Sequence, residues 1–370
     1  MKFPFFFRTL VAGAIAIFLV SLLGLGWVAT HSSINLLTGG VNYFPQATVF
    51  LPKQTPAMVS LLTNPEKLYG LRQVTLPLKA RRRDRQEWQQ WSEDLFAKIG
   101  FNYRQDIKPW LGDEVTFAIA SLDRDRNFGN GVQPGYILAT ANTSSNLAQK
   151  CLRDFYSDRE NSSLEQYKGA NIISPDRQSS LWSTVVVGDF VLFANHPQIL
   201  KEAINQAQAV SLNLQQSTDY QTAIARIQQP HLGIGYFDVL GLSAWLDKST
   251  VATYGNNKQT LSLSLSVKNS DLAAQTILIK PDNSSVAPSF LNNPQLQQIF
   301  NSLNFDDSNS AYIDLQSGRS LLEDRIPLYK VSKLAIRSLF PHLKAIVIQN
   351  LERDNYLSRA SILFKLDSRA

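Results

Sequence analysis

The sequence predicts an α+β fold: antiparallel sheets built from repeated strand, helix and hairpin units with helices on one face, preceded by one N-terminal transmembrane helix. Three observations carry this. Strand-like runs come in adjacent pairs with short polar connections, which hairpins produce and parallel sheets do not. Three passages repeat one order of elements. The chain also opens on a long apolar run without ionisable side chains. With 370 residues, 44% apolar and 18% charged, it can bury a large core.

Residues 1–8 form a short cationic leader containing Lys2 and Arg8. From Thr9 to Thr30 the run TLVAGAIAIFLVSLLGLGWVAT holds 22 residues. At about 1.5 Å per residue it is roughly 33 Å long as a helix, enough to cross a bilayer. No further Lys or Arg occurs before Lys53, so the positive-inside bias places the N-terminus in the cytoplasm and exports the bulk of the chain to the periplasm or thylakoid lumen. Trp27 suits the far interface. The competing reading, a cleaved signal, requires a shorter apolar core and a better small-x-small site than Thr30-His31-Ser32.

Residues 31–45, HSSINLLTGGVNYFP, have neither helical nor strand periodicity and read as a linker. Beyond it, Ala57–Thr63, His231–Val239 and Ser310–Leu315 are strand candidates, each followed by a helical passage; in the first, Asn64 is placed to cap a helix beginning at Pro65. Paired runs then follow: Glu114–Ala120 with Gly135–Ala141, Thr260–Val267 with Leu272–Ile279, and Ala345–Leu351 with Leu357–Leu366. A fourth pair, Trp182–Val187 and Phe190–Ala194, turns at Gly188-Asp189 and leads into the helical passage HPQILKEAINQAQA. The exported part therefore divides into two related halves, 46–211 and 212–370.

Lys plus Arg is 36 and Asp plus Glu 30, a net +6 too mild to imply nucleic acid. One cysteine, Cys151, excludes intrachain disulfides and multi-thiolate metal sites. His31, His196, His231 and His342 have no metal-ligand spacing, and no nucleophile elbow or phosphate loop occurs. Asp123 to Gly129 imitates the start of a calcium loop, but Pro134 stands where a bidentate Glu is needed, so a hairpin turn explains it. No catalytic, cofactor or metal residue is assigned, and no cofactor is expected.

One cluster resists a purely structural explanation. Lys79, Arg81, Arg82, Arg83 and Arg85 crowd the start of a helix whose apolar stripe includes Trp88 and Trp91. Cations at a helix N-terminus oppose its partial positive charge, so stability alone does not select them. Basic residues beside tryptophan fit a membrane surface or an acidic partner. These seven residues are the candidates for membrane or partner contact; Lys2, Arg8 and Trp27 set the topology.

The apolar run, PWLGDEVTFAIA at 109–120, VVVGDFVLFANHPQILKEAI at 185–204 and DYQTAIARIQQPHLGIGYFDV at 219–239 together resemble the domain of unknown function 3352 family, met in photosynthetic bacteria. The resemblance implies this architecture and an envelope or thylakoid setting, and brings no catalytic residues. The leading expectation is a membrane-anchored, non-enzymatic extracytoplasmic module that binds the bilayer through its N-terminal helix and meets an envelope or thylakoid protein partner, or the membrane surface, with its folded part. The alternatives are a carrier of a lipid or other apolar ligand, and an unfamiliar carboxylate-dependent hydrolase.

Overall fold

The computed structural model describes residues 40–246, apart from 76–78, 80, 98, 128–129, 158–161, 177–180 and 228, and beyond them the segments 260–268, 271–279, 304–305, 310–314, 343–353 and 357–366. Among these no helix is long and apolar enough to cross a membrane. The leader, the expected anchor at 9–30 and residues 31–39 lie outside the described residues, and with them Lys2, Arg8 and Trp27.

The first part of the chain gives β1 (Ala57–Leu61), α1 (Pro65–Thr75), α2 (Arg81–Ala97), β2 (Leu111–Ser121), β3 (Gly135–Asn142), α3 (Ser145–Ser157), β4 (Ser163–Tyr167), β5 (Ala170–Ser174), β6 (Ser183–Val187), β7 (Phe190–Ala194), α4 (Pro197–Gln208) and α5 (Thr218–Ile224). It continues through β8 (Gly233–Asp238), α6 (Val239–Leu246), β9 (Thr260–Lys268), β10 (Asp271–Ile279), β11 (Asn304–Phe305), β12 (Ser310–Asp314), β13 (Leu343–Arg353) and β14 (Leu357–Leu366). A 3-10 turn, Gln46–Phe50, and a π-helical turn, Tyr103–Ile107, complete the described helices used below.

The described strands form one sheet in the order β11-β12-β13-β14-β10-β9-β8-β1-β2-β3-β7-β6-β5-β4. Neighbours pair antiparallel, as the adjacent pairs of strand-like runs require. Outward from its centre the sheet runs β1-β2-β3-β7-β6-β5-β4 on one side and β8-β9-β10-β14-β13-β12-β11 on the other, so both arms have one order. They meet at the antiparallel pair of β1 and β8, where Val59 lies opposite Gly235. The strand order thus repeats outward on either side of the β1–β8 pair.

Helices cover both faces of the first arm, where the sequence predicted them on one. β7, FVLFA, is buried at every position. Its Phe190, Leu192 and Ala194 pack with Ile199, Leu200, Ala203 and Ile204 of α4, while its Val191 and Phe193 join Leu152, Phe155 and Tyr156 of α3 and Phe96 of α2. Alternate residues of a strand point to opposite faces, so a run apolar at every position needs cover on both. Phe101 ties the second layer together, with its ring 4.1 Å from that of Phe155 and 5.0 Å from that of Phe193.

The folded part also begins earlier than the expected linker boundary at residue 45. Val41 N–H donates to the His231 carbonyl at 2.8 Å, and His231 N–H returns a bond to the Val41 carbonyl at 2.9 Å. Phe44 stacks on the His231 ring, and Val41 and Phe44 pack against Leu62, Ile227, Ile234 and Ile277. Aromatic side chains at 43 and 44 supply apolar area that an open linker would leave in water.

Candidate functional site

The basic cluster stands on a helix pair fixed to the centre of the sheet. Asn64 caps α1, its Oδ1 accepting from Glu66 N–H at 2.9 Å. Its Nδ2 donates to the carbonyls of Leu111 and Gly112, which docks the start of α1 on β2. Pro65 at the first helical position loses no bond, because that N–H has no intrahelical acceptor. Glu66 then accepts from Tyr103 Oη at 3.0 Å and from Lys108 Nζ at 2.8 Å.

Tyr69, one turn into α1, stacks on Trp88 of α2, with ring centroids 5.6 Å apart. Arg85 Nε donates to Tyr69 Oη at 3.1 Å. Trp88 is only 4% exposed. Its ring therefore belongs to the α1–α2 contact, as its place on the apolar stripe allows, and is not available as a surface contact candidate. The Trp91 side chain lies outside what is described. Lys79, Arg82, Arg83 and Arg85 are exposed, and Arg81 is half-buried. The structure thus holds a cationic ridge at the head of α2 on an aromatic footing, with Arg85 aimed by the tyrosine.

A second feature, missed from sequence, is a cleft of about 770 Å³ lined by Glu93, Ala97, Gly100, Phe101, Asn102, Gln105, Asp106, Cys151, Asp154 and Phe155. Two of its carboxylates already serve the backbone. Asp106 accepts from Asn102 N–H at 2.8 Å, and Glu93 accepts from Tyr103 N–H at 3.1 Å while facing Arg104 at 3.5 Å. Burial pushes the Cys151 thiol up, and the carboxylates of Asp154 and Asp106 push it further, against a smaller opposing effect of Lys150. A thiol raised this way is a poor nucleophile near neutral pH. The π-helical turn on the cleft wall was the available signal, since such turns gather at sites, but no sequence pattern announces one.

The described histidines have structural work. His196 Nδ1 accepts from Gln198 N–H at the head of α4, and the His231 ring is fully buried, with Nε2 2.9 Å from the Tyr43 carbonyl. The calcium-like passage is a turn closed on itself: Asp125 accepts from Asn127 N–H and Asn130 Nδ2, and Asp123 from Gln133 N–H. Among the described residues no three His, Cys, Asp or Glu side chains could hold a metal ion. His31, His342 and the acidic pairs Asp306-Asp307 and Glu323-Asp324 lie outside the described residues.

Glu114 of β2 is a buried carboxylate, 4% exposed. It accepts from Gln46 N–H and Ala47 N–H, both at 2.9 Å, and from Thr116 Oγ1 at 3.0 Å. Burial raises its pKa from the ordinary value in spite of these three bonds. It anchors the 3-10 turn that follows the chain's emergence at residues 40–45, a structural role.

Across the centre of the sheet one face is apolar and partly open. Phe117, Val59 and Gly235 lie in one register row, continued by Leu263. Val59 is 48% and Phe117 43% exposed. Leu261, Leu263 and Leu265 of β9 stand half-buried on this face, while Thr260, Ser262 and Ser264 turn inward, with Ser262 Oγ donating to the Ala223 carbonyl of α5.

Among solved structures, crystal form III of TP0453 matches with 10% identity and a TM-score of 0.36, covering 72% of this chain and 88% of that one. Crystal form I of TP0453 matches with 8% identity and a TM-score of 0.32, covering 72% and 89%. Neither likeness carries an argument at these scores. No curated protein matches the chain in sequence. The family model described as "Protein of unknown function (DUF3352)" matches residues 10–289, well over half of the chain, and the chain belongs to that family.

Proposed function

We propose that the protein is a membrane-tethered, non-enzymatic binding module of the extracytoplasmic side, which holds an anionic surface through the basic head of α2. The observation that carries this is the ridge of Lys79, Arg82, Arg83 and Arg85, exposed at a helix N-terminus where the helix dipole disfavours cations. The apolar run at 9–30 supports the tether and the loop-charge asymmetry supports the side. The test is capture of protein-free anionic or zwitterionic vesicles by the full chain held through its apolar run in phosphatidylcholine vesicles. Binding to anionic vesicles at low salt, lost in high salt and in a variant with Arg81, Arg82, Arg83 and Arg85 changed to Gln, supports the reading. Salt-independent binding that the variant retains refutes it.

A second reading, a carrier of an apolar ligand, is favoured by the open apolar face at Val59, Phe117, Leu261, Leu263 and Leu265. Solvent extraction of the purified protein followed by mass spectrometry of the extract tests it. A protein that is repeatedly empty counts against carriage.

A further inference from the structure

We infer that the anionic surface met by the head of α2 is the bilayer in which the chain's own apolar run is embedded, a contact made in cis; this rests on the binding role proposed above. The first argument is reach. The fold takes hold of the chain at Gly40–Phe44, through the Val41–His231 bonds, the Phe44–His231 stack and a bond from Tyr43 Oη to the Leu62 carbonyl. At Gly40, φ is +127° and a Cβ would lie 2.3 Å from the carbonyl carbon and oxygen of His231, so the backbone is pressed against β8's approach with no slack. Residues 31–39 alone separate this grip from Thr30, the end of the apolar run. Ten virtual bonds of fully extended chain span about 35 Å, which caps the distance from the bilayer surface to the grip.

The second argument is placement. Leu62, which receives the Tyr43 hydroxyl, stands three residues before Pro65, and Tyr69 lies four residues further along α1. Three residues of extended chain and four of helix put Tyr69 within about 16 Å of Leu62. Arg85 Nε is 3.1 Å from the Tyr69 hydroxyl. The cationic ridge therefore sits beside the point where the chain leaves for the membrane.

The third argument is range. Charge attraction fades over about 8 Å at physiological ionic strength, so a ridge of this kind acts only on a surface already brought close. A short tether supplies that proximity for the adjacent bilayer and raises the effective concentration of its headgroups. A distant acidic protein gains nothing from the tether.

The test uses the full chain in vesicles, with a donor dye on Gln86→Cys in a Cys151→Ser background and an acceptor on the lipid headgroup. Gln86 is exposed beside the ridge. In phosphatidylcholine vesicles containing phosphatidylglycerol, transfer should exceed that in pure phosphatidylcholine. Each arginine among Arg82, Arg83 and Arg85 changed to Gln should lower the docked-to-undocked ratio by roughly fivefold, from the usual worth of a basic residue at an anionic membrane. Equal transfer in both compositions, or transfer unchanged in the triple variant, overturns the inference. A separate arm mixes the chain in phosphatidylcholine vesicles with protein-free phosphatidylglycerol vesicles. Capture of the latter together with composition-independent transfer in the former leaves the binding role standing and removes the cis contact. Failure of both arms removes both.

Discussion

Replacing Glu114 should loosen the first turn of the folded part while leaving the sheet intact. In the wild type its carboxylate satisfies two backbone donors, Gln46 N–H and Ala47 N–H, and the Thr116 hydroxyl. Glu114→Ala orphans both amides, at about 1 to 3 kcal/mol each when no water replaces the acceptor. Removal of a desolvated carboxylate offsets part of that cost. A net loss of about 2 kcal/mol corresponds to roughly 30-fold faster amide exchange in the 46–50 turn. The pH dependence has a definite sign. Because burial raises the folded-state pKa of Glu114 above the ordinary 4.5, the folded chain holds this proton where the unfolded chain has lost it. Its contribution to stability is thus full below the unfolded value and is lost as pH rises through the raised folded value. Glu114→Gln removes this dependence and leaves an amide NH₂ facing one of the two donors. Hydrogen exchange by mass spectrometry of the full chain in detergent, repeated across that pH window, reads both effects. Exchange in 46–50 unchanged in Glu114→Ala, or a pH slope unchanged in Glu114→Gln, would refute the reasoning.

Trp88→Ala, which empties a nearly buried site and removes the Tyr69 stack, should cost about 3 to 5 kcal/mol and lower the urea midpoint. Arg82→Gln and Arg83→Gln, on exposed positions, should move stability by less than about 0.5 kcal/mol, so that loss of vesicle binding can be separated from unfolding. Gly40→Ala places a Cβ 2.3 Å from the His231 backbone at positive φ and should free the emerging chain, seen as new protease cleavage before Gln46 and unchanged protection of β2 and β3. Cys151 should alkylate slowly near neutral pH, with a rate inflection above the ordinary 9.0, because burial and then Asp154 and Asp106 raise its pKa. Asp154→Asn should speed the reaction.

Much of the sheet was legible in the sequence because its signals are local. Phe190–Ala194 was bounded as observed, and the Gly188-Asp189 turn was read directly, with Gly188 at φ +56°. Helix cover was read less well. FVLFA is apolar throughout, the mark of a strand buried on both faces, yet the overall pattern of hairpins favoured cover on one. The α3 helix passed unnoticed although Ala148, Leu152, Phe155 and Tyr156 carry a helical period. The hairpin of β4 and β5 was missed for another reason. Its turn, Lys168-Gly169, has both residues at positive φ, but β4 is exposed at four of its five positions and shows no apolar alternation. In the candidate site, charge and the inward stripe were legible and the partner was not. Lys79, Arg82, Arg83 and Arg85 are exposed, and Trp88 turns inward as its apolar stripe allows, onto Tyr69, nineteen residues earlier, a stacking partner that no spacing rule reveals.

The two arms of the sheet differ in the charge of the connection that follows the central strand. β1 and β8 occupy equivalent places at the centre, and each is followed by a helix, α1 and α6. If the fold required cations in the connection that follows a central strand, both arms should carry them. The connection from β8 to β9, residues 239–259, has Asp247, Lys248 and Lys258 as its charged residues and no arginine. The connection from β1 to β2 concentrates Lys79, Arg81, Arg82, Arg83 and Arg85 within seven positions, at a helix end that disfavours them. A sheet arm of the same strand order thus carries no such cluster in the corresponding connection, which supports the proposed contact of the ridge with something outside the fold. The arm that bears the ridge also holds Leu62, the residue reached by Tyr43 where the chain emerges from the direction of the apolar run. Under the proposed cis contact, this asymmetry falls on the side that the tether would bring nearest to lipid.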